Sequence, residues 1–393
     1  MKKFWNEQTT FVKLAIVLIL CAFCIYLTAT IFKPALEGMF FWNNTDYEKS
    51  GQIGDFVAGV VGTLFAFAGT IFIILTFREQ MIENKRNRFE EIYYEMVRIH
   101  RENVSQLVYN KKNKKSISQL ENRQVIKEIV DEFKEVYGEI KKLIKRWNVE
   151  NSLTKSYVTR TTNIIEENKL DTTVYEMFII DLAYFVLFYG IGQEGKVIVK
   201  GHFRKDIDLE VLKIILFYLE QKPKKSNKKR YKLWKQLVSL ESERLLNTVL
   251  GSFDKIDNEE IYDLEIAEKL KLNRLTKSKY KKYYGGHQHR LGHYYRHLYQ
   301  SYKLLDRSKL ISTTDKYDYS KLIRAQISTY EQILLFLNSL SSLGRKWQLT
   351  ADNDKRNDFI ETYQVIKNVP GVQLYDIKYK KFYPKIVYET NEE

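Results

Sequence analysis

Four of the six histidines, His287, His289, His293 and His297, crowd into one short stretch together with Arg290 and Arg296. Arg290 and His297 lie seven residues apart and share one face if the stretch is helical. An arginine so placed can hold a phosphate while the histidine acts as general acid or base toward a ribose 2′-hydroxyl, the chemistry of metal-independent RNA cleavage. His289, His293 and His297 also follow an i, i+4, i+8 spacing. The first two could chelate a metal, but the third is a full turn farther along and converges poorly, so neither a metal nor another cofactor is expected. The plain alternative is a hydrogen-bonded structural stripe, and it is the leading reading for His287 and His289. No Walker motif, no Ser-His-Asp arrangement and no paired-carboxylate signature accompanies the cluster.

Two helices must position these residues. The first is expected from about Gln288, with His289, His293, Arg296 and Gln300 on one stripe and Leu291, Tyr295, Leu298, Tyr302 and Leu305 on the opposite one. The polar stripe must face water, a ligand or another polar helix. Residues 320–340 read as a single helix in which Arg324, Ser328, Glu331 and Asn338 share a face amid apolar neighbours. A buried Arg or Glu without a partner is destabilising by on the order of several kcal/mol, so a network joining the two helices is expected.

The rest of the chain points to a mainly α protein. Pro is scarce (4) while Tyr (28) and Phe (22) are abundant, which suits long helices packed through aromatic rings. Two apolar runs precede the polar body, about 12–32 and 56–77, each close to the roughly 20 residues needed to cross a bilayer as a helix. The first is longer than the hydrophobic region of a signal peptide and reads as retained. Lys2, Lys3 and Lys13 come before it, and Arg78, Lys85, Arg86 and Arg88 follow the second run. That bias predicts a transmembrane hairpin over residues 1–78, with both termini in the cytoplasm and a short outer loop. Ala58, Gly62, Ala66 and Thr70 recur every four residues and offer a small-residue face, for packing within the hairpin or between copies. Cys21 and Cys24 lie in the first run and read as small apolar packing residues.

Residues 79–393 then form a cytoplasmic helical domain that begins with a helical stalk over 79–107. Lys111 to Lys115 reads as an exposed loop, and a strongly amphipathic helix is expected over 123–147. Residues 175–189 are nearly all apolar, but the stretch is short and contains Asp181, so it reads as a buried core helix rather than a third span. Gly190, Gly192 and Gly195 follow, formally G-x-G-x-x-G. Because they come after a helix instead of opening one after a strand, their simplest role is to end that helix and turn the chain. An amphipathic helix is read over 206–221. The basic segments 222–235, with Tyr231 and Trp234, and 269–282 are open to three readings: solvated loop, anionic lipid or nucleic acid. A short β element is expected near the C-terminus, after Pro370. The net charge of +15 favours anionic partners in general.

Three stretches carry a resemblance: GHYYRHLYQSYKLL, RAQISTYEQILLFLNSLSSLG and FIETYQVIKNVP, in this order and spacing, together with FEEIYYEMVRIHRENV and the two leading apolar runs. They resemble the phage abortive infection proteins of the AbiC-like family. The resemblance implies a bacterial membrane protein that stops phage spread by arresting or killing the infected cell. It places the family's recurring positions on His100, Glu102 and Asn103, on His293, Arg296 and Leu298, and on Arg324, Ala325, Gln326 and Ser328. His100, His293, Arg296, Arg324 and Gln326, with Glu331, form the expected functional polar cluster. Tyr295 stands where the family usually has Phe, and Ile327 where it usually has Leu. Arg290 and His297 also look like the R-x(4 to 6)-H pattern of HEPN-type ribonucleases, although Leu291 stands where a polar residue is usual. Expected partners are the inner membrane, a phage-derived trigger or nucleic acid, and further copies of the chain.

Overall fold

The computed structural model describes residues 10–28, 47–112, 117–147, 149–220, 222, 226, 228, 231–232, 234–235, 284–350, 357–369 and 377–389. The chain divides into two compact units, Met1–Ile92 and Tyr93–Glu393. The boundary falls within one long helix.

In the first unit, α1 (Thr10–Leu27) and α2 (Tyr47–Phe56) are followed by a π-helical turn, Val57–Val61, and by α3 (Gly62–Ser105), which continues into the second unit. The helical stretch Gly54–Ser105 is long and apolar enough to cross a membrane, whereas Val12–Leu27 is a shorter apolar helix. The last residues of the first expected span, 29–32, lie outside the described residues. Packing of α1 against the π-helical turn buries Ala15, Ala22 and Val61, and α3 buries Ala68 and Ile71. Ala58, Gly62 and Ala66 are exposed, so the small-residue stripe is not the packed side within this unit. Cys21 and Cys24 are likewise exposed among the described residues.

After α3 the second unit forms an antiparallel hairpin, β1 (Val108–Lys112) and β2 (Ile117–Glu121), with Val108 opposite Glu121. This corrects the expected exposed loop at Lys111 and Lys112, which are in β1, while 113–115 lie outside the described residues. Next come α4 (Arg123–Trp147), α5 (Lys155–Glu167), α6 (Val174–Tyr189), α7 (Gln193–Phe203) and α8 (Leu209–Glu220). The polar centre supplies α9 (Gln288–Arg307), α10 (Thr313–Gln326), α11 (Thr329–Leu340) and the short α12 (Phe359–Thr362).

The core is built on α4, α6 and α11, which pack on one another. In α6 the apolar residues cover the whole circumference, so a helix with Met177 to Leu187 buried is the only arrangement that keeps them from water. In α4 the face from Ile126 to Ile144 is buried, as its periodicity requires. α7 and α5 flank α6, α8 covers α4, and α9 lies beside α6 and α10.

Of the short β element expected after Pro370, residues 370–376 lie outside the described residues, and Ile377 sits in an isolated β-bridge. Among the described residues 377–389 there is a 3-10 turn, Tyr379–Lys381, and no strand. The alternating aromatics of this segment are explained by packing on α11: Phe382 and Tyr383 meet Phe336 edge-on, and the Tyr383 hydroxyl donates to Ser339 Oγ at 2.8 Å. Backbone bonds such as Phe382 N–H to the Tyr379 carbonyl close turns instead of a ladder.

Candidate functional site

Two neighbouring polar arrangements form around α9. One is buried and centred on Glu331. A break that the apolar pattern of 320–340 conceals puts this residue there: α10 ends at Gln326, and Ser328 caps a new helix, α11. The Ser328 hydroxyl and the backbone N–H of Ser328, the latter at 2.7 Å, both donate to Glu331 Oε2, and Glu331 N–H returns a bond to Ser328 Oγ, a reciprocal capping box. Arg324, Ser328 and Glu331 therefore do not share one helical face.

Glu331 is fully buried, and its second oxygen accepts from the Tyr294 hydroxyl at 3.2 Å. Arg123 Nε lies 3.5 Å from Oε2. The helix partner of Glu331 on α9 is thus Tyr294, from the buried side, and not the His293–Arg296 stripe. His100 lies 3.7 Å from Glu331, buried against the Tyr294 ring, and neither of its ring nitrogens meets a hydrogen-bond partner among the described residues. Burial first, then His297 and Arg123, push its pKa down to about 4. The Glu331 carboxylate is already held by Ser328, Tyr294 and Arg123, so it does not draw a proton onto the ring.

His100 is therefore neutral at pH 7, and the unfolded chain binds the proton more tightly. Its contribution to stability is present above pH 6.5 and is lost as pH falls toward 4. Between pH 7 and pH 5 the loss is expected to be about 2 kcal/mol. The check is urea unfolding at both pH values, with His100→Leu as reference; an identical pH dependence in the two proteins would contradict it.

The other polar residues divide sharply. Arg324 Nη1 donates to the Tyr363 and Gln364 carbonyls at 3.2 and 3.1 Å, which ties α10 to the end of α12. The Gln326 carbonyl accepts from Arg123 Nη2 at 2.9 Å. His297 Nε2 donates to the Met96 carbonyl at 2.8 Å, and Arg290 Nε donates to the Val108 carbonyl at 3.0 Å while its guanidinium covers the Tyr109 ring. The two residues with the spacing for RNA cleavage thus each fasten α9 to a different backbone segment. His287 is buried against Glu132, with Nε2 2.9 Å from Oε2. Among the described residues no three His, Cys, Asp or Glu side chains gather as a metal site.

His289, His293 and Arg296 are exposed, and they line the second arrangement, an open cleft of about 590 Å³. It is lined also by the turn Gly190–Gly195 and by Gly285 and Gly286. The turn both ends α6 and opens α7, with Gly192 as the N-cap. Glycine is required here by close backbone crossing. Gly190 has φ +79°, Gly285 has φ +67°, and a Cβ on Gly285 would lie 2.0 Å from the Val186 carbonyl oxygen. Desolvation, then Arg290 and His287, hold the His289 pKa below the usual range.

Of the basic segments, 269–282 lies outside the described residues. In 222–235, Lys222 is buried between Glu135 and Glu139 at 2.7 and 3.2 Å, and Trp234 is buried on the Tyr218 ring. Neither is available to stack on a base or meet a phosphate.

The fold defines a mainly helical protein with, among the described residues, one helix of membrane-spanning length and a polar centre on α9 to α11. Residues 286–374 match the family model described as "Putative phage abortive infection protein", which supports a role in phage abortive infection. The matched segment contains α9, α10, α11 and α12, and so both Glu331 and the His293–Arg296 side of the cleft. Comparison with curated proteins and with solved structures finds no significant match.

Proposed function

We propose that this chain is an anti-phage protein acting by abortive infection. The helical unit recognises a phage component or a consequence of infection. The apolar N-terminal helices act as a two-span hairpin in the bacterial inner membrane, with both termini cytoplasmic, and take part in arresting or killing the cell. The observation that carries the role is the family match over residues 286–374.

The membrane part rests on the Gly54–Ser105 helix, of whose apolar window only 11% is buried. Phe67, Ile73, Ile74 and Phe77 are among its exposed residues. A continuous apolar surface of this kind is covered in the cell by lipid or by another protein. The exposed stripe of Ala58, Gly62 and Ala66 suits close approach of a second copy, consistent with a homo-oligomer. A ribonuclease reading lacks comparable support, because Arg290 and His297 are each held by a backbone carbonyl.

The test is infection of cells that express the full chain. At low multiplicity, plaque number should fall by orders of magnitude; at high multiplicity, infected cells should stop growing without releasing phage. Plaque numbers equal to those on cells without the chain, or cells that clear the phage and keep dividing, would overturn the proposal.

A further inference from the structure

The cleft beside α9 carries a positive charge, Arg296, that no ion pair among the described residues neutralises. Arg296 donates its Nε to the Gly292 carbonyl of its own helix at 3.0 Å, and it forms no ion pair with an acid among the described residues. Contrast Arg345, whose guanidinium meets Asp181 at 3.2 Å. The positive field reaches Lys346, whose pKa is lowered by partial burial and then by Lys303 and Arg296. His293 and His289 stand on the preceding turns of α9 and line the same cleft. Facing them, the first turn of α7 opens on the cleft with no side-chain cap at Gly192, so its backbone N–H groups add to the cationic wall.

Size limits the ligand. A space of about 590 Å³ lies within the range of small-molecule sites, roughly 300–1,000 Å³. The lining also includes the apolar Ile198 and the aromatic Tyr189. Glu194 is the one acid in the lining, and it sets a limit: an anion bound here gains from Arg296 and is opposed by Glu194.

We propose that this cleft binds a small phosphate-bearing molecule of the nucleotide class, with Arg296 as the principal phosphate contact and His293 and His289 beside it. The site stands on the cleft's geometry and not on the anti-phage role, so the two can fail separately.

The experiment is isothermal titration of the full chain in lipid nanodiscs of neutral phosphatidylcholine, with ATP, inorganic pyrophosphate and inorganic phosphate as probes. Vesicles containing phosphatidylglycerol form a separate arm. Saturable binding of ATP or pyrophosphate is expected, weakened about tenfold or more by Arg296→Ala. Arg296→Lys should recover part of that loss. Glu194→Gln should tighten binding severalfold, an effect that misfolding cannot produce. Lys205→Ala, beyond the other end of α7, should leave binding unchanged.

Absence of saturable binding by all three soluble probes would overturn the site. So would a loss in Lys205→Ala equal to that in Arg296→Ala, which would indicate a diffuse basic surface. Binding confined to phosphatidylglycerol vesicles and lost in Arg296→Ala would assign the charge to a lipid headgroup and overturn the nucleotide class. Tight ATP binding in a chain that gives no protection from phage would keep the site and remove only the anti-phage reading.

Discussion

Replacing Asp181 with alanine should destabilise the helical unit by about 3–5 kcal/mol, the usual consequence of leaving one partner of a buried ion pair alone. Asp181 is the single acid in the buried part of α6 and is 1% exposed. Its Oδ1 accepts from Ser342 N–H at 2.8 Å and from Ser342 Oγ at 3.0 Å, and its Oδ2 lies 3.2 Å from Arg345 Nη2. The carboxylate thus joins the middle of α6 to the turn that follows α11. Without it the Arg345 guanidinium remains in the interior with no counter-charge, and two donors of Ser342 lose their acceptor. The check is urea unfolding followed by fluorescence of the tryptophans, of which Trp347 lies close by in the same turn. A double replacement, Asp181→Leu with Arg345→Met, should recover most of the loss, because an apolar pair of similar volume needs no compensation. A single-variant loss below about 1 kcal/mol would mean that water reaches the pair and reduces it to surface strength.

Glu331→Ala is the second large effect, expected at about 2–4 kcal/mol. Two losses add. The capping box of α11 disappears, worth about 1 kcal/mol, and the buried Tyr294 hydroxyl is left without its acceptor, worth about 1–3 kcal/mol. Burial and the Glu331 carboxylate together raise the Tyr294 pKa well above the usual range, so this phenol is a committed donor. Glu331→Gln keeps the shape and one acceptor, and should cost less than half as much. Thermal unfolding of the two variants side by side decides it; equal losses would show that the carboxylate's charge, and not its role as acceptor, holds the cluster.

Much of the helical unit was legible in the sequence where one short-range pattern decided the outcome. The boundaries Arg123–Trp147 and the start at Gln288 follow from unbroken apolar periodicity, and the buried Leu291, Tyr295, Leu298, Tyr302 and Leu305 are the stripe that periodicity requires. Asp181 correctly marked α6 as a core helix rather than a span, though its partner Arg345 could not be read, since no local pattern links residues so far apart in the chain. The break at Ile327 carried a readable signal, Ser328 and Glu331 in S-x-x-E spacing, but the apolar run on both sides masked it. The hairpin at 108–121 had none: VYNKK and ISQLE show no alternation, and tertiary bonds such as Arg290 to the Val108 carbonyl and Asn122 N–H to the Leu107 carbonyl hold it in place. For the same reason the polar cluster was expected as one network, whereas the structure separates a buried hub at Glu331 from an open cleft at Arg296. The cleft depends on the approach of Gly285 to α6, which brings together two glycine turns nearly a hundred residues apart.

The most direct test of the proposed role is the membrane potential of infected cells, followed by a potential-sensitive dye in the same cultures from which RNA is taken for integrity. With the full chain present, the potential should collapse before phage are released while transfer and messenger RNA remain intact. Cells that stop growing with their potential preserved, and with RNA cut in a His297-dependent manner, would contradict it.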